Sequence, residues 1–128
     1  MSTKYSGEVY IIDRAKFAVI GKIEFLPHGV SKTDVTPVDV LITKDGKTAF
    51  VTLGHAARIA VVDVPTRKTQ GYISVGQRSE GLGMSRDGKT LYAVNGFGDD
   101  ITVVDLKTQK STVAIPVGRI PRGIVIDD

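Results

Sequence analysis

Three arginines and two histidines carry most of the chemistry that this sequence could perform. Arg78, Arg119 and Arg122 would clamp a carboxylate or phosphate if folding made their guanidinium groups converge, because that planar fork offers paired N–H donors. The plainer alternative is three solvated side chains on polar loops. Arg58, Glu80 and Asn95 complete the candidate binding set. His28 and His55 are candidate metal or haem ligands by residue type. They stand 27 residues apart without a supporting carboxylate spacing, which falls short of a metal motif and leaves surface histidines as the other reading. Asp99-Asp100 lacks the spaced oxygen ligands of a calcium loop. No Gly-x-Ser-x-Gly elbow, His-Glu-x-x-His pair or P-loop occurs, and Gly81-Leu-Gly83 runs into Met84-Ser85-Arg86 rather than a dinucleotide fingerprint. No cofactor and no catalytic residue is expected from these patterns.

The elements that must position these residues are those of a globular chain. Of 128 residues, 41% are hydrophobic and 24% charged, a balance typical of folded domains rather than disordered ones. The formal charge of +3 is spread through interspersed Lys, Arg, Asp and Glu, and only eight aromatic residues are present. A nucleic-acid surface would need a basic stripe, with aromatic platforms for single strands, so no nucleic-acid partner is expected. No apolar run approaches the roughly 20 residues of a membrane helix, and residues 1–7 lack the apolar core of a signal peptide. The absence of cysteine excludes disulfides and thiolate metal sites.

An internal repeat decides the architecture. Ile59-Ala-Val-Val-Asp63 overlays Ile101-Thr-Val-Val-Asp105 at an offset of 42 residues. The same offset carries Thr43-Lys-Asp-Gly-Lys-Thr48 onto Ser85-Arg-Asp-Gly-Lys-Thr90, Val75-Gly76 onto Val117-Gly118, and Gly81-Leu-Gly-Met84 onto Gly123-Ile-Val-Ile126. An earlier copy, Val9-Tyr-Ile-Ile-Asp13, precedes Asp63 by 50 residues, the extra eight falling between Phe25 and Thr36. Each period holds four runs rich in β-branched and aromatic residues, in the middle copy 40–42, 49–52, 59–63 and 71–75. Ile59 to Val62 is apolar at consecutive positions, which predicts a sheet covered on both faces. Asp45-Gly46 and Asp87-Gly88 predict tight hairpins. Four antiparallel strands in about 42 residues predict β-propeller blades, about three per chain, in an all-β fold; a β-sandwich is the alternative.

Pro37-Val-Asp-Val-Leu-Ile-Thr-Lys-Asp-Gly-Lys47 and Ser85-Arg-Asp-Gly-Lys-Thr-Leu-Tyr-Ala-Val-Asn95 resemble the YVTN-family propeller repeat over nearly the whole chain. A narrower resemblance, to periplasmic propellers associated with PQQ-dependent alcohol oxidation, rests on Val75-Gly-Gln-Arg78, Tyr92-Ala-Val-Asn-Gly96 and Ile115-Pro-Val-Gly-Arg119. Glu80 and Arg122 stand where that group tends to carry an aromatic residue. The resemblance implies an exported prokaryotic protein, periplasmic or extracellular, working beside a periplasmic redox enzyme.

The expected organisation is a partial first blade with its insertion over 1–36, a second blade over 37–78, a third over 79–120, and the start of another over 121–128. Calling the strands of a blade a to d, residues 1–4 align on the tail of a b strand, and 124–126 on an a strand. A ring needs 4–8 blades, so the expected partners are further blades of a longer parent, or further copies of the chain joined head to tail. Strand order places the b–c and d–a loops on one face, which would display His28, His55, Arg58, Gln77, Arg78, Glu80, Asn95, Asp99, Asp100, Arg119 and Arg122. A binding or scaffold module using this face is the leading functional expectation. A propeller enzyme (lyase, lactone-processing, or haem- or metal-dependent) and a structural or surface-layer assembly unit are the alternatives.

Overall fold

Residues 2–3 and 6–127 are described by the computed structural model, so the expected strand remnant over 1–4 and the last residue of the 121–128 segment lie partly outside the described residues. The β-branched runs form strands in three antiparallel sheets, and the only helical element among the described residues is a short 3-10 turn at Lys32–Asp34. The first sheet holds β1 (Ser2–Thr3), β2 (Glu8–Asp13) and β3 (Ala18–Glu24), in that order. The second holds β4 (Val40–Ile42), β5 (Thr48–Thr52), β6 (Arg58–Asp63) and β7 (Lys68–Ser74). The third holds β8 (Ser79–Met84), β9 (Thr90–Asn95), β10 (Asp100–Asp105) and β11 (Lys110–Pro116). Each strand pairs with its sequence neighbour, so every sheet is an up-and-down meander.

The backbone repeats in fine detail. A bulge interrupts the pairing of β2 with β3 at Ile11/Ile12, of β6 with β7 at Val61/Val62, and of β10 with β11 at Val103/Val104. Left-handed residues recur at the same spacings: Phe17, Arg67 and Gln109; Ala57 and Asp99; Arg78 and Ile120; Gly46 and Gly88. Side chains other than glycine avoid this region. Their return at equivalent positions shows that sheet geometry, rather than residue preference, sets these turns.

The Asp-Gly hairpins are held by one carboxylate each. Oδ1 of Asp45 accepts from Thr43 Oγ1 at 2.6 Å and from Lys47 N at 3.0 Å, while Oδ1 of Asp87 accepts from Ser85 Oγ at 2.7 Å and Lys89 N at 3.0 Å. Those side-chain hydrogen bonds, followed by the backbone ones, hold both carboxyls below the ordinary aspartate range.

The second sheet is buried on both faces. Val51 and Leu53 with Ala60 and Val62 pack toward the first sheet, where Val9, Phe25 and Val35 complete a core. Phe50, Ile59, Val61 and Ile73 pack the other way, against Leu82, Leu91, Ala93 and Val104 of the third sheet. Consecutive apolar residues therefore serve alternate cores, as the period of two along a strand requires. The segment between β3 and β4 contributes Phe25 and Val35, both buried, as plugs in the first core.

Beyond β11, residues 121–127 run along the third sheet. A Cβ on Gly83 would lie 3.0 Å from Ile124 Cγ2 and 3.1 Å from Ile126 Cγ1, and one on Gly81 would lie 2.7 Å from the Arg122 carbonyl oxygen. The two glycines of β8 are thus what lets this segment approach so closely.

Candidate functional site

Four turns meet at one end of the sheets: those after β5 and β9, the d–a connection between β7 and β8, and the segment after β11. Asn95, fully buried at the end of β9, organises this end. Its Nδ2 donates to Asp100 Oδ1 at 2.7 Å and to Thr102 Oγ1 at 2.8 Å. Thr102 in turn accepts from Gly76 N at 3.2 Å, which ties the β7–β8 connection to β10. The backbone of that connection also accepts from the β9–β10 turn, Gly96 N to Arg78 O at 2.9 Å and Phe97 N to Gln77 O at 3.2 Å. Asp99 fastens the far side, its Oδ1 accepting from Ile120 N at 2.8 Å and its carbonyl from Val117 N at 2.9 Å.

On this frame sits a stack of three side chains from three separate turns. The His55 ring lies 6.1 Å from the Phe97 ring at an interplanar angle of 28°, and the Arg78 guanidinium lies 4.3 Å from the centroid of Phe97. His55 and Phe97 are 42 residues apart, so the stack joins equivalent positions of adjacent sheets. Nε of Arg78 is 2.6 Å from Glu80 Oε1, an ion pair whose N–H direction does not make a hydrogen bond. Phe97 remains 56% exposed, so it forms a knob rather than a plug. Two buried oxygens at this end, Ser79 Oγ and Asn95 Oδ1, have no hydrogen-bond partner among the described residues. Buried polar groups without partners are costly and uncommon.

The expected residues therefore separate. His55, Arg78, Glu80 and Asn95 come together within one cluster. Asp100 supports Asn95, while Arg58 is half-buried and turns its Nη1 to the Ala57 carbonyl at 3.0 Å. Arg119 and Arg122 are exposed on the segment after β11. The Arg122 backbone comes to this end through Gly81, but the Arg78 guanidinium engages Glu80 and Phe97 rather than the other two arginines. His28 is exposed in the segment between β3 and β4. Among the described residues no three histidine, aspartate or glutamate side chains gather as a metal-binding group. Sequence reasoning missed Phe97. Its signal was present: an aromatic residue in the turn after β9, at the position His55 holds one period earlier.

The Asp-Gly hairpins lie together in a separate cleft of about 590 Å³ lined by residues 41–45 and 84–88. A larger groove of about 710 Å³ runs between β7 and β11, where the Ser111 hydroxyl donates to the Ser74 carbonyl.

No family model matches the chain, and no curated protein matches it. Among solved structures it is similar to hydrazine synthase of Kuenenia stuttgartiensis, with 28% identity and a TM-score of 0.69 over 74% of this chain. The match spans 27% of the length of that protein chain. This likeness and the three antiparallel sheets are compatible with blades of a β-propeller.

Proposed function

We propose that the chain is a non-catalytic binding module made of YVTN-type β-propeller blades, from an exported prokaryotic protein, and that its b–c/d–a loop face binds a partner. The 42-residue return of strands, bulges and left-handed turns supports the blade reading. The observation that carries the binding reading is the His55–Phe97–Arg78 stack, which assembles a half-exposed aromatic knob from three separate turns over a polar frame. Loops on a rigid scaffold are where binding concentrates, and aromatic and arginine side chains dominate interface energetics.

A protruding ring, with exposed Arg119 and Arg122 on the segment whose backbone reaches the same end, favours an acidic protein surface over a small anion, because small ligands are held in concave sites. With Arg78 neutralised by Glu80, attraction to acidic groups falls to Arg119 and Arg122. The test is an amide NMR titration with an acidic peptide, and with succinate as the small-anion probe. The peptide should shift His55, Phe97, Arg119 and Arg122, and F97A or the R119A/R122A pair should weaken it about tenfold, the cost of one interface anchor. Shifts confined to another face, or binding untouched by both variants, would refute the reading. A response to succinate alone would move it to a small-anion site.

A further inference from the structure

Along the chain the lysines and arginines are interspersed with acids, but the fold gathers them at one end of the sheets. In the second and third sheets four turns lie at the end opposite the aromatic stack. Residues 43–48 join β4 to β5 and 63–68 join β6 to β7; residues 85–90 join β8 to β9 and 105–110 join β10 to β11. Within each sheet the two turns are tied by a backbone hydrogen bond, Val64 N to Lys47 O at 2.9 Å and Leu106 N to Lys89 O at 3.0 Å. The two Asp-Gly hairpins flank one cleft, which brings the pairs together across the sheets.

These turns hold eight of the 17 lysines and arginines but only four of the 14 acidic residues. The rest of the chain has nine cations against ten acids, so the positive charge of the protein resides at this end. The four aspartates face their own turns. Besides Asp45 and Asp87, Asp63 Oδ2 accepts from Thr66 N at 3.0 Å, and Asp105 Oδ1 from Lys107 N at 2.9 Å. Lys44, Lys47, Lys68, Lys89, Lys107 and Lys110 are exposed and make no ion pair among the described residues. Lys22 and Lys32, outside these turns, pair with Glu8 and Glu24 at 2.7 Å each. Each of the four turns is closed on both sides by its own strands, and sheets stack through their faces rather than their ends. The exposure therefore belongs to the turns themselves.

We propose that this end docks on an anionic lipid surface. Neighbouring strands are spaced about 4.8 Å and stacked sheets about 10 Å, so the four turn tips form a roughly square array. Such an array meets a plane of headgroups, whereas nucleic-acid phosphates run along lines and are met by a basic stripe. None of the four turns carries an aromatic residue, either to stack on a base or to anchor a protein interface. Six of their eight cations are lysines, whose flexible stems let each ammonium reach a headgroup independently. The docking is independent of the loop-face reading, because the aromatic stack lies at the other end of the sheets.

The whole chain should co-sediment with vesicles of phosphatidylglycerol and phosphatidylcholine in equal parts, and stay in solution with phosphatidylcholine alone. Binding should fall as salt is raised, because these charges are solvated. K44A/K89A removes one exposed lysine from each hairpin and should weaken binding about 30-fold with unchanged circular dichroism, at the usual contribution of a basic residue near such a surface. K22A/K32A, of the ion-paired lysines, should leave it unchanged. Should K44A/K89A lose its fold, the K68A/K107A pair in the other two turns serves in its place. No binding to the mixed vesicles at low salt, equal losses from the turn pair and the ion-paired pair, or tighter retention of a DNA duplex than of the vesicles would each overturn the assignment.

Discussion

Leu53 and Asn95 occupy the same place in successive sheets, both fully buried where β5 and β9 give way to their turns, yet they plug that end with opposite chemistry. Around Leu53 the neighbours are apolar, with Val35, Phe25, Ala56 and Ala60 in one core. Around Asn95 the counterpart of Ala60 is Thr102, and that of Arg58 is Asp100, and both accept its amide protons. The turns that follow nevertheless share a left-handed residue, Ala57 or Asp99, in the same place. The backbone of this end is thus fixed by the meander and tolerates either filling. The filling sets the cost and the display. An apolar plug stabilises by burial alone, whereas the polar plug orients Asp100 and Gly76 at the expense of two oxygens without partners among the described residues. Departures from a well-satisfied core tend to gather at functional sites.

Exchanging the plugs would break the comparison most sharply. L53N should cost about 4 kcal/mol in urea unfolding, from lost burial plus an amide with no partner in an apolar core. N95L is milder, about 2 kcal/mol, because it removes one unpaired oxygen while stripping Asp100 and Thr102 of their donor. Equal losses at the two sites would show that the surroundings, not the plug, set the energetics. R78A should cost about 1 kcal/mol or less, since its ion pair is partly solvated and its backbone is left-handed in either variant. Thermal melting of R78A beside R78G separates the two contributions, and the glycine variant should melt higher because it carries no left-handed penalty.

The smallest effect belongs to the opposite end. The folded protein lowers the carboxyl pKa of Asp45 and Asp87, so their contribution is present above the ordinary aspartate pKa and is lost as pH falls through the lowered folded value. Asp63, held by the Thr66 hydroxyl and then its N–H, follows the same sign. Asp45 and Asp87 are exposed, so the acid limb of a stability-against-pH curve should flatten only slightly in D45N/D87N. A curve that is unchanged would mean that these hydrogen bonds persist in the unfolded chain.

Much of the fold was legible because its signals are local. The expected runs at 40–42, 49–52 and 59–63 coincide with β4 to β6 within a residue, while β7 starts at Lys68, ahead of the expected residue 71. The miss is physical: Lys68, Thr69 and Gln70 lie on an outer strand beside water, where no apolar residue is demanded. The candidate site was half legible. Asn95, Arg78, Glu80 and His55 were marked by residue type, but their grouping needs contacts between turns about 20 or more residues apart. Phe97 was missed although its place one period after His55 was legible, because an aromatic residue in a repeat of strands reads as core until the contacts between turns show it at the surface.

By itself the sequence determined the period, the four strands within it, the Asp-Gly hairpins and the equivalence of positions such as 53 and 95. Hydrogen-bond ladders and β-branched packing are read from neighbours along the chain, so a linear pattern suffices for them. Only the tertiary structure decided that Arg78 faces Glu80 and Phe97 rather than Arg119 and Arg122, and that Val125 points away from the third sheet. Those outcomes depend on how one sheet twists and leans against the next, and no spacing along the chain records that angle.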